Sequence, residues 1–279
     1  MSEHNRTVVG LDVESVAYKT SRRPGYFWEA YDGRRNILDR AGGGYDAWRG
    51  ATPGWDNQAI RAYDAVHDKY PRADEILNAE ISMAEVTAML ARMKDVGASL
   101  DNVPPVVMQA HASHSECAVI KSLTRQFNEV FRTGVVPEEW QRHRMLLVYK
   151  GHGAHQSALD SYRAIGIGCC DLKMLSLIME ERLNTFLEVT KSLSHNQMGF
   201  KRRSGTREAT LALSEIIKQA SKERPVLTAF IDVLAAYDSV IREVLYAKMV
   251  KMGIGGRFLT TVQGMYHSME ALNWRLAVL

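Results

Sequence analysis

Asp232 closes a run of apolar residues, Val226-Leu-Thr-Ala-Phe-Ile-Asp232, and Tyr237 and Asp238 follow shortly after it. A carboxylate at the end of an otherwise apolar strand needs compensation, because an unpaired charge there is costly to desolvate. Two readings satisfy that need. Asp232 either caps the next turn or pairs with a Lys or Arg, or it is a hard oxygen ligand for Mg²⁺ in a phosphoryl-transfer site. Tyr237 by itself reads as an ordinary core tyrosine. Upstream, Lys201, Arg202, Arg203 and Arg207 form a basic run with no acid between them. It suits either a nucleic-acid backbone or a solvated helix entrance. His111, His114 and Cys117 are three residues apart, a spacing that a helix brings toward one face. Zinc asks for a fourth ligand or an open water position, and a capping box beginning at Ser113 leaves His111 outside the helix. They are therefore not expected to bind metal. Gly42-Gly43-Gly44 lacks the Lys-Ser/Thr of a phosphate loop and reads as a flexible turn.

The elements that must position these residues show in the punctuation. Ser82 with Glu85 makes a capping box. Val86, Met89, Leu90 and Met93 follow at helical spacing, with Gly97 as the stop. Ser113 with Glu116 repeats the device before Val119, Ile120, Leu123, Phe127, Val130 and Phe131, and Gly134 closes that helix. Arg144 to Lys150 reads as a buried strand, followed by a polar Gly/His loop to Ser157. A third helix carries Leu172, Leu175, Ile178, Leu183, Phe186 and Leu187, with Asp171 as cap. Residues 207–221 form a fourth, Val226 to Asp232 a central strand, and residues 242–252 and 257–267 two more helices. Before residue 77 no sustained period is visible. This mixture of helices and a few strands gives an α+β or α/β fold.

Bulk properties set the frame. The 279 residues are 46% hydrophobic, enough for one sizeable core or two small ones. No apolar run reaches the ~20 residues that span a bilayer, and the first residues do not read as a secretory signal. Three cysteines, two of them adjacent, make a poor disulfide framework, so a reducing, intracellular setting is the default, nucleus and cytoplasm not being distinguished. A net charge of +3 neither demands nor excludes a nucleic-acid partner.

Taken in order, the chain reads Val136-Pro-Glu-Glu-Trp140, Val148-Tyr-Lys-Gly151, Ser161-Tyr-Arg-Ala-Ile165, Gln197-Met-Gly-Phe200, Ser204-Gly-Thr206, Ala229-Phe-Ile-Asp232 and Ala236-Tyr-Asp-Ser-Val240. The series resembles the reverse transcriptases of non-LTR (LINE-type) retrotransposons, with their "PxxW", "YK-G-G", "YRPIS", "QxGFRxxxST" and "AFIDFxxAFDSV" segments, over roughly residues 81 to 270. The resemblance implies an RNA-directed DNA polymerase, a nucleotidyltransferase using Mg²⁺, deoxynucleotides, an RNA template and a DNA primer. It implies that Asp232 is the first metal-binding carboxylate of the palm and that the carbonyl of Val233 helps hold the nucleotide's metal. Two metals in such a site stabilise the attacking and leaving oxygens together. Tyr237 would stack under the incoming sugar, and Asp238 would order the turn. Lys150 and Arg163 match finger cations that approach the triphosphate, a task suited to one Lys and one fork-shaped Arg. Gly199 and Phe200 match the segment lying along template and primer.

Departures accompany the match. Ala164 replaces Pro, Gly166 stands where Ser is usual, Val233-Leu234-Ala235 replaces aromatic and basic residues, and His152 and His155 occupy a loop usually rich in Lys and Asp. Neither "RGxxQG" nor "(F/Y)xDD" occurs, and there is no Asp-Asp pair in the 279 residues. The expectation is therefore an α+β, helix-rich, incomplete right-hand polymerase: a poorly defined leader over 1–76, then fingers and partial palm over 77–279, truncated before the second carboxylate motif. Such a fragment is not expected to polymerise alone, which leaves its standing as an enzyme open. The alternatives are a non-catalytic nucleic-acid-binding fragment or a structural relic. Lys150, Arg163 and Asp232 are expected to converge, because in-line transfer requires triphosphate and metal to be held together.

Overall fold

The computed structural model describes residues 57–94, 103–110, 117–151, 161–220, 225–233, 236–237, 240–267 and 270–277. The fold is α+β and helix-rich, with one small sheet. By compactness it divides into two units, one of residues 1–52, 80–177 and 260–279, the other of residues 53–79 and 178–259.

In the first unit, α3 (Met83–Arg92) starts at Ser82, whose hydroxyl accepts from the Glu85 amide while Glu85 accepts from the Ser82 amide. These two bonds satisfy amides that the first helical turn leaves unpaired. Val86, Met89 and Leu90 are buried toward α5 (Ala118–Thr133), whose Ile120, Leu123, Phe127, Val130 and Phe131 face inward. Each such side chain contributes about 1.5–3 kcal/mol on burial. The Asn128 side chain locks the entry to α3. Its carbonyl accepts from the Ile81 amide at 2.7 Å and its amide donates to the Ile81 carbonyl at 2.8 Å. Phe127 meets Trp140 edge-on, ring centroids 5.8 Å apart, so the tryptophan of the Pro137–Trp140 segment is a core residue. Gly134 ends α5 with φ 71. A Cβ there would lie 2.4 Å from Thr260 Cγ2, and one on Gly264 would lie 2.0 Å from the Gly134 carbonyl oxygen. Only two bare glycine backbones can approach so closely.

The sheet has strand order β2-β1-β3: β1 (Arg142–Tyr149) pairs antiparallel with β2 (Tyr162–Ile167) and parallel with β3 (Glu270–Ala277). The strand expected from Arg144 is present, but of its residues only Leu147 is buried; the rest of β1 is half-exposed or exposed. Neither β2 nor β3 was read from sequence. β2 has a glycine at 166 in place of a side chain to pack, which hides its period. α7 (Cys170–Thr190) begins one residue before Asp171, which lies in its first turn rather than capping it. The Ser113–Glu116 box, His111, His114 and Gly97 lie outside the described residues, and α5 starts after Cys117 with no side-chain cap. The remaining short helices of this unit are α4 (Pro105–Gln109) and α6 (Glu138–Gln141).

In the second unit, α1 (Asn57–Lys69) supplies a helix where the sequence showed no sustained period. Its buried stripe is short, Ala59 and Tyr63, with the His67 ring 4.3 Å from that of Tyr63. His67 Nε2 donates to the Gly253 carbonyl at 2.8 Å, tying α1 to the end of α9 (Arg242–Lys251). Asn78, at the end of α2 (Ala73–Asn78), accepts from the Phe258 amide at 2.9 Å at the start of α10 (Gly256–Met265). Arg182 of α7, itself buried, donates to the carbonyls of Leu77 and Ala79. α8 (Thr206–Lys218) buries no residue and leaves Leu211, Ile216 and Ile217 exposed. Val226 to Asp232 is not a strand: it runs without regular structure, and all its residues are exposed. An apolar run of this kind forms a strand when neighbours pair its edges and cover its faces; among the described residues none pairs with it.

Candidate nucleotide and nucleic-acid site

Lys150 and Arg163 are brought together by the β1–β2 pairing. Val148 stands opposite Arg163 and Tyr149 opposite Tyr162, and the Lys150 amide donates to the Ser161 carbonyl at 2.8 Å, continuing the ladder by one residue. Lys150 therefore faces Ser161, with Arg163 two residues further along the same strand. Because side chains alternate, the register puts both residues on one face as diagonal neighbours, whose Cα atoms are typically about 7–8 Å apart. Both are exposed. The Tyr149 and Tyr162 rings, 5.5 Å apart, brace the other face of the hairpin end. Gly151, with φ 73, turns the chain out of the strand.

The second cluster lies in the other unit, between α7 and α8. Phe200 and Arg203 both hold left-handed backbone, φ 56 and 57, which costs a non-glycine residue on the order of 1–2 kcal/mol. The Phe200 ring is 86% exposed, so no core contact offsets the strain. Arg202 is anchored: its guanidinium meets Glu181 at 2.5 Å and Glu188 at 3.6 Å on α7 and donates to the Glu181 carbonyl at 3.3 Å. Lys201 is half-buried, whereas Arg203 and Arg207 are exposed. Arg207 sits in the first turn of α8, where no side chain caps the helix at Gly205. A cation there opposes the helix dipole and adds nothing to helix stability.

The third group is Asp232, Val233 and Tyr237, in the irregular stretch before α9. All three are exposed, Tyr237 at 82%; Asp238 lies outside the described residues. Asp232 is neither helical nor buried against a cation. Among the described residues no group of three His, Cys, Asp or Glu side chains could hold a metal ion. Mg²⁺ pairs need several shared oxygen ligands. One exposed carboxylate and one carbonyl do not fit that demand, so the described residues do not make up a two-metal centre.

A cleft of about 380 Å³ beside β2 was not anticipated. His143, Gly166, Gly168, Cys170 and Lys173 help line it, and a Cβ on Gly168 would stand 2.9 Å from His143 Nε2. Gly168 thus makes room for the imidazole. No helix among the described residues is long and apolar enough to cross a membrane.

Comparison with known proteins bears on the same segments. Residues 150–277 match the family described as reverse transcriptase (RNA-dependent DNA polymerase). Over 115 residues the chain is 28% identical to the RNA-directed DNA polymerase from mobile element jockey of Drosophila melanogaster, a match covering 41% of this chain and 12% of that protein. The chain thus spans a small part of that relative's length. The family match starts at Lys150, just after β1, and takes in β2, the basic loop and Asp232, so that over residues 150–277 the chain is similar to the reverse transcriptases, among them that of a mobile element.

Proposed function

We propose that residues 77–279 are the fingers and part of the palm of a right-hand polymerase whose reaction is RNA-templated DNA synthesis, preceded by a leader over 1–76. In this reading Lys150 and Arg163 receive the triphosphate, Tyr237 lies under the sugar, and Asp232 and the Val233 carbonyl would be two ligands of a metal site that they do not complete by themselves. Gly199, Phe200, Lys201, Arg202, Arg203 and Arg207 follow template and primer. The observation that carries the reading is the shared face of Lys150 and Arg163, two cations from separate motifs of the ordered series. A fork-shaped guanidinium beside a mobile ammonium is the pairing that a polyphosphate needs.

A second reading, nucleic-acid binding without catalysis, is favoured by the exposed cations around Phe200 and by the absence of a metal-ligand group among the described residues. One experiment separates the two. Purified residues 1–279 are assayed for primer extension on an RNA template with deoxynucleotides and Mg²⁺, and for binding of a fluorescent deoxynucleoside triphosphate. The expected outcome is no extension, with triphosphate binding that Lys150→Ala and Arg163→Ala each weaken about tenfold, a loss of ~1.4 kcal/mol. Triphosphate binding unaffected by both substitutions removes the nucleotide site and leaves the second reading. Extension that Asp232→Ala abolishes shows instead that these residues polymerise unaided.

A further inference from the structure

The cleft beside β2 lies wholly within the first unit. His143 of β1, residues 165–168 at the end of β2, and Cys170, Lys173 and Ser176 on α7 line it, the last three at the spacing of one helix face. Its volume, about 380 Å³, falls at the lower end of the roughly 300–1,000 Å³ range of small-molecule sites. The floor is bare backbone. Gly166 and Gly168 both turn the side that lacks a Cβ toward His143, while Pro105 and the buried Leu172 give apolar walls. A slot of this kind takes a flat ring.

Two polar groups of the cleft stay open. His143 Nδ1 lies 2.9 Å from the Gln141 carbonyl, which can only accept, so Nδ1 carries the proton and Nε2 of the neutral ring is an acceptor. Nε2 sits at the Gly168 wall, 2.9 Å from where a Cβ on that glycine would stand, and meets no partner among the described residues. The half-buried Lys173 ammonium likewise meets no acceptor among them. By contrast, Cys170 Sγ is engaged with the Val103 carbonyl at 3.2 Å and Ser176 Oγ with the Leu172 carbonyl at 2.7 Å. A simple anion suits Lys173 but sets its lone pairs against that of Nε2. A ring edge carrying N–H beside C=O satisfies both, donating to His143 and accepting from Lys173.

We propose that this cleft binds a planar heterocycle with a lactam or imide edge, the edge that uracil presents, either as a free base or nucleoside or as an unpaired base of a strand. The site stands apart from the Lys150 and Arg163 assignment and does not need it. Uridine is the probe, because it is uncharged and is not drawn to the other cations. It is titrated into residues 1–279 while the amide resonances of Gly166 and Gly168 are followed by NMR. Both amides should shift, and 3-methyluridine, which lacks the imide N–H, should leave them in place. His143→Phe should weaken binding about fivefold and Lys173→Met about tenfold, the losses that one neutral and one charged hydrogen bond carry. His143→Gln, which keeps an acceptor, should recover most of the affinity, and Lys173→Met serves if the His143 variants lose their fold. Displacement of uridine by a single-stranded oligouridylate identifies the natural occupant as a base of a strand; its absence identifies a free base or nucleoside, and both results keep the proposal. Unmoved glycine amides overturn it, as do equal binding of 3-methyluridine and affinity insensitive to both His143→Phe and Lys173→Met. Lys150→Ala and Arg163→Ala should leave uridine binding unchanged, so failure of the triphosphate reading and failure of this site are separable.

Discussion

Arg202 and Glu181 form the shortest link between the basic loop and α7, with Nη2 and Oε1 2.5 Å apart. A residue that the sequence placed among four equivalent phosphate contacts is thus also the post that holds the loop. Its neighbours Arg203 and Arg207 are exposed.

The four cations should therefore separate in a salt titration. Arg203→Ala and Arg207→Ala are each expected to lower the slope of log Kobs against log salt by about one, as loss of a phosphate contact does. Arg202→Ala is expected to change the slope less and to increase protease cleavage between Ser194 and Gly205. Because this pair is partly solvated, its loss should cost no more than ~1 kcal/mol in global stability. Limited proteolysis beside fluorescence-anisotropy titrations checks both points.

Phe200 offers a different separation. Its backbone is left-handed and its ring exposed, so Phe200→Gly should leave unfolding stability unchanged or raise it by about 1 kcal/mol. If bases stack on the ring, the same substitution should weaken single-strand binding by about 1–3 kcal/mol. Unfolding in urea and binding to a homopolymer of uridine measure the two independently. Equal affinity before and after substitution would remove the ring from the nucleic-acid surface.

Gly264→Ala is expected to destabilise the fold by about 2–4 kcal/mol, since overpacking against backbone cannot be relieved by a rotamer change. Its Cβ would stand 2.0 Å from the Gly134 carbonyl oxygen. Gly134→Ala should act in the same direction, through both the left-handed backbone and the approach to Thr260. Combining the two should cost less than their sum, because one displacement of α10 from the end of α5 relieves both clashes. Urea midpoints of the single and double variants give the comparison.

Asn128→Ala should cost about 2–3 kcal/mol, because it leaves both the amide and the carbonyl of Ile81 without their partner. Replacement by Asp, which keeps the acceptor and removes the donor, should recover part of the loss.

The helices were legible where a cap and a stripe coincided. Ser82 with Glu85, and Gly134 behind Phe127, Val130 and Phe131, are local signals, and the structure keeps both. α1 escaped because two buried positions, Ala59 and Tyr63, are too few to make a period. β2 escaped because Gly166 interrupts it, and β3 because its pairing depends on a strand distant in sequence. The strand expected over Val226–Asp232 failed for the opposite reason: its composition is strand-like, but composition cannot supply neighbours. Of the site, the ordered motifs singled out Lys150 and Arg163 but not the β1–β2 hairpin that carries both, a relation that register alone fixes. The anchoring of Arg202 was invisible, because Glu181 and Glu188 are ordinary surface acids until α7 turns them toward the loop.

The parallel pairing of β1 with β3 sets an order of assembly. The β1–β2 hairpin closes a short loop and can form as soon as Ile167 has been made. The other edge of β1 waits for Glu270–Ala277, and at roughly 5–20 residues per second of synthesis that wait is several seconds long. Throughout it, the edge of β1 away from β2 is open on a nascent chain. Closing so long a loop is also slow in entropy terms, so the first unit is completed last, after nearly all the chain that it brackets has left the ribosome.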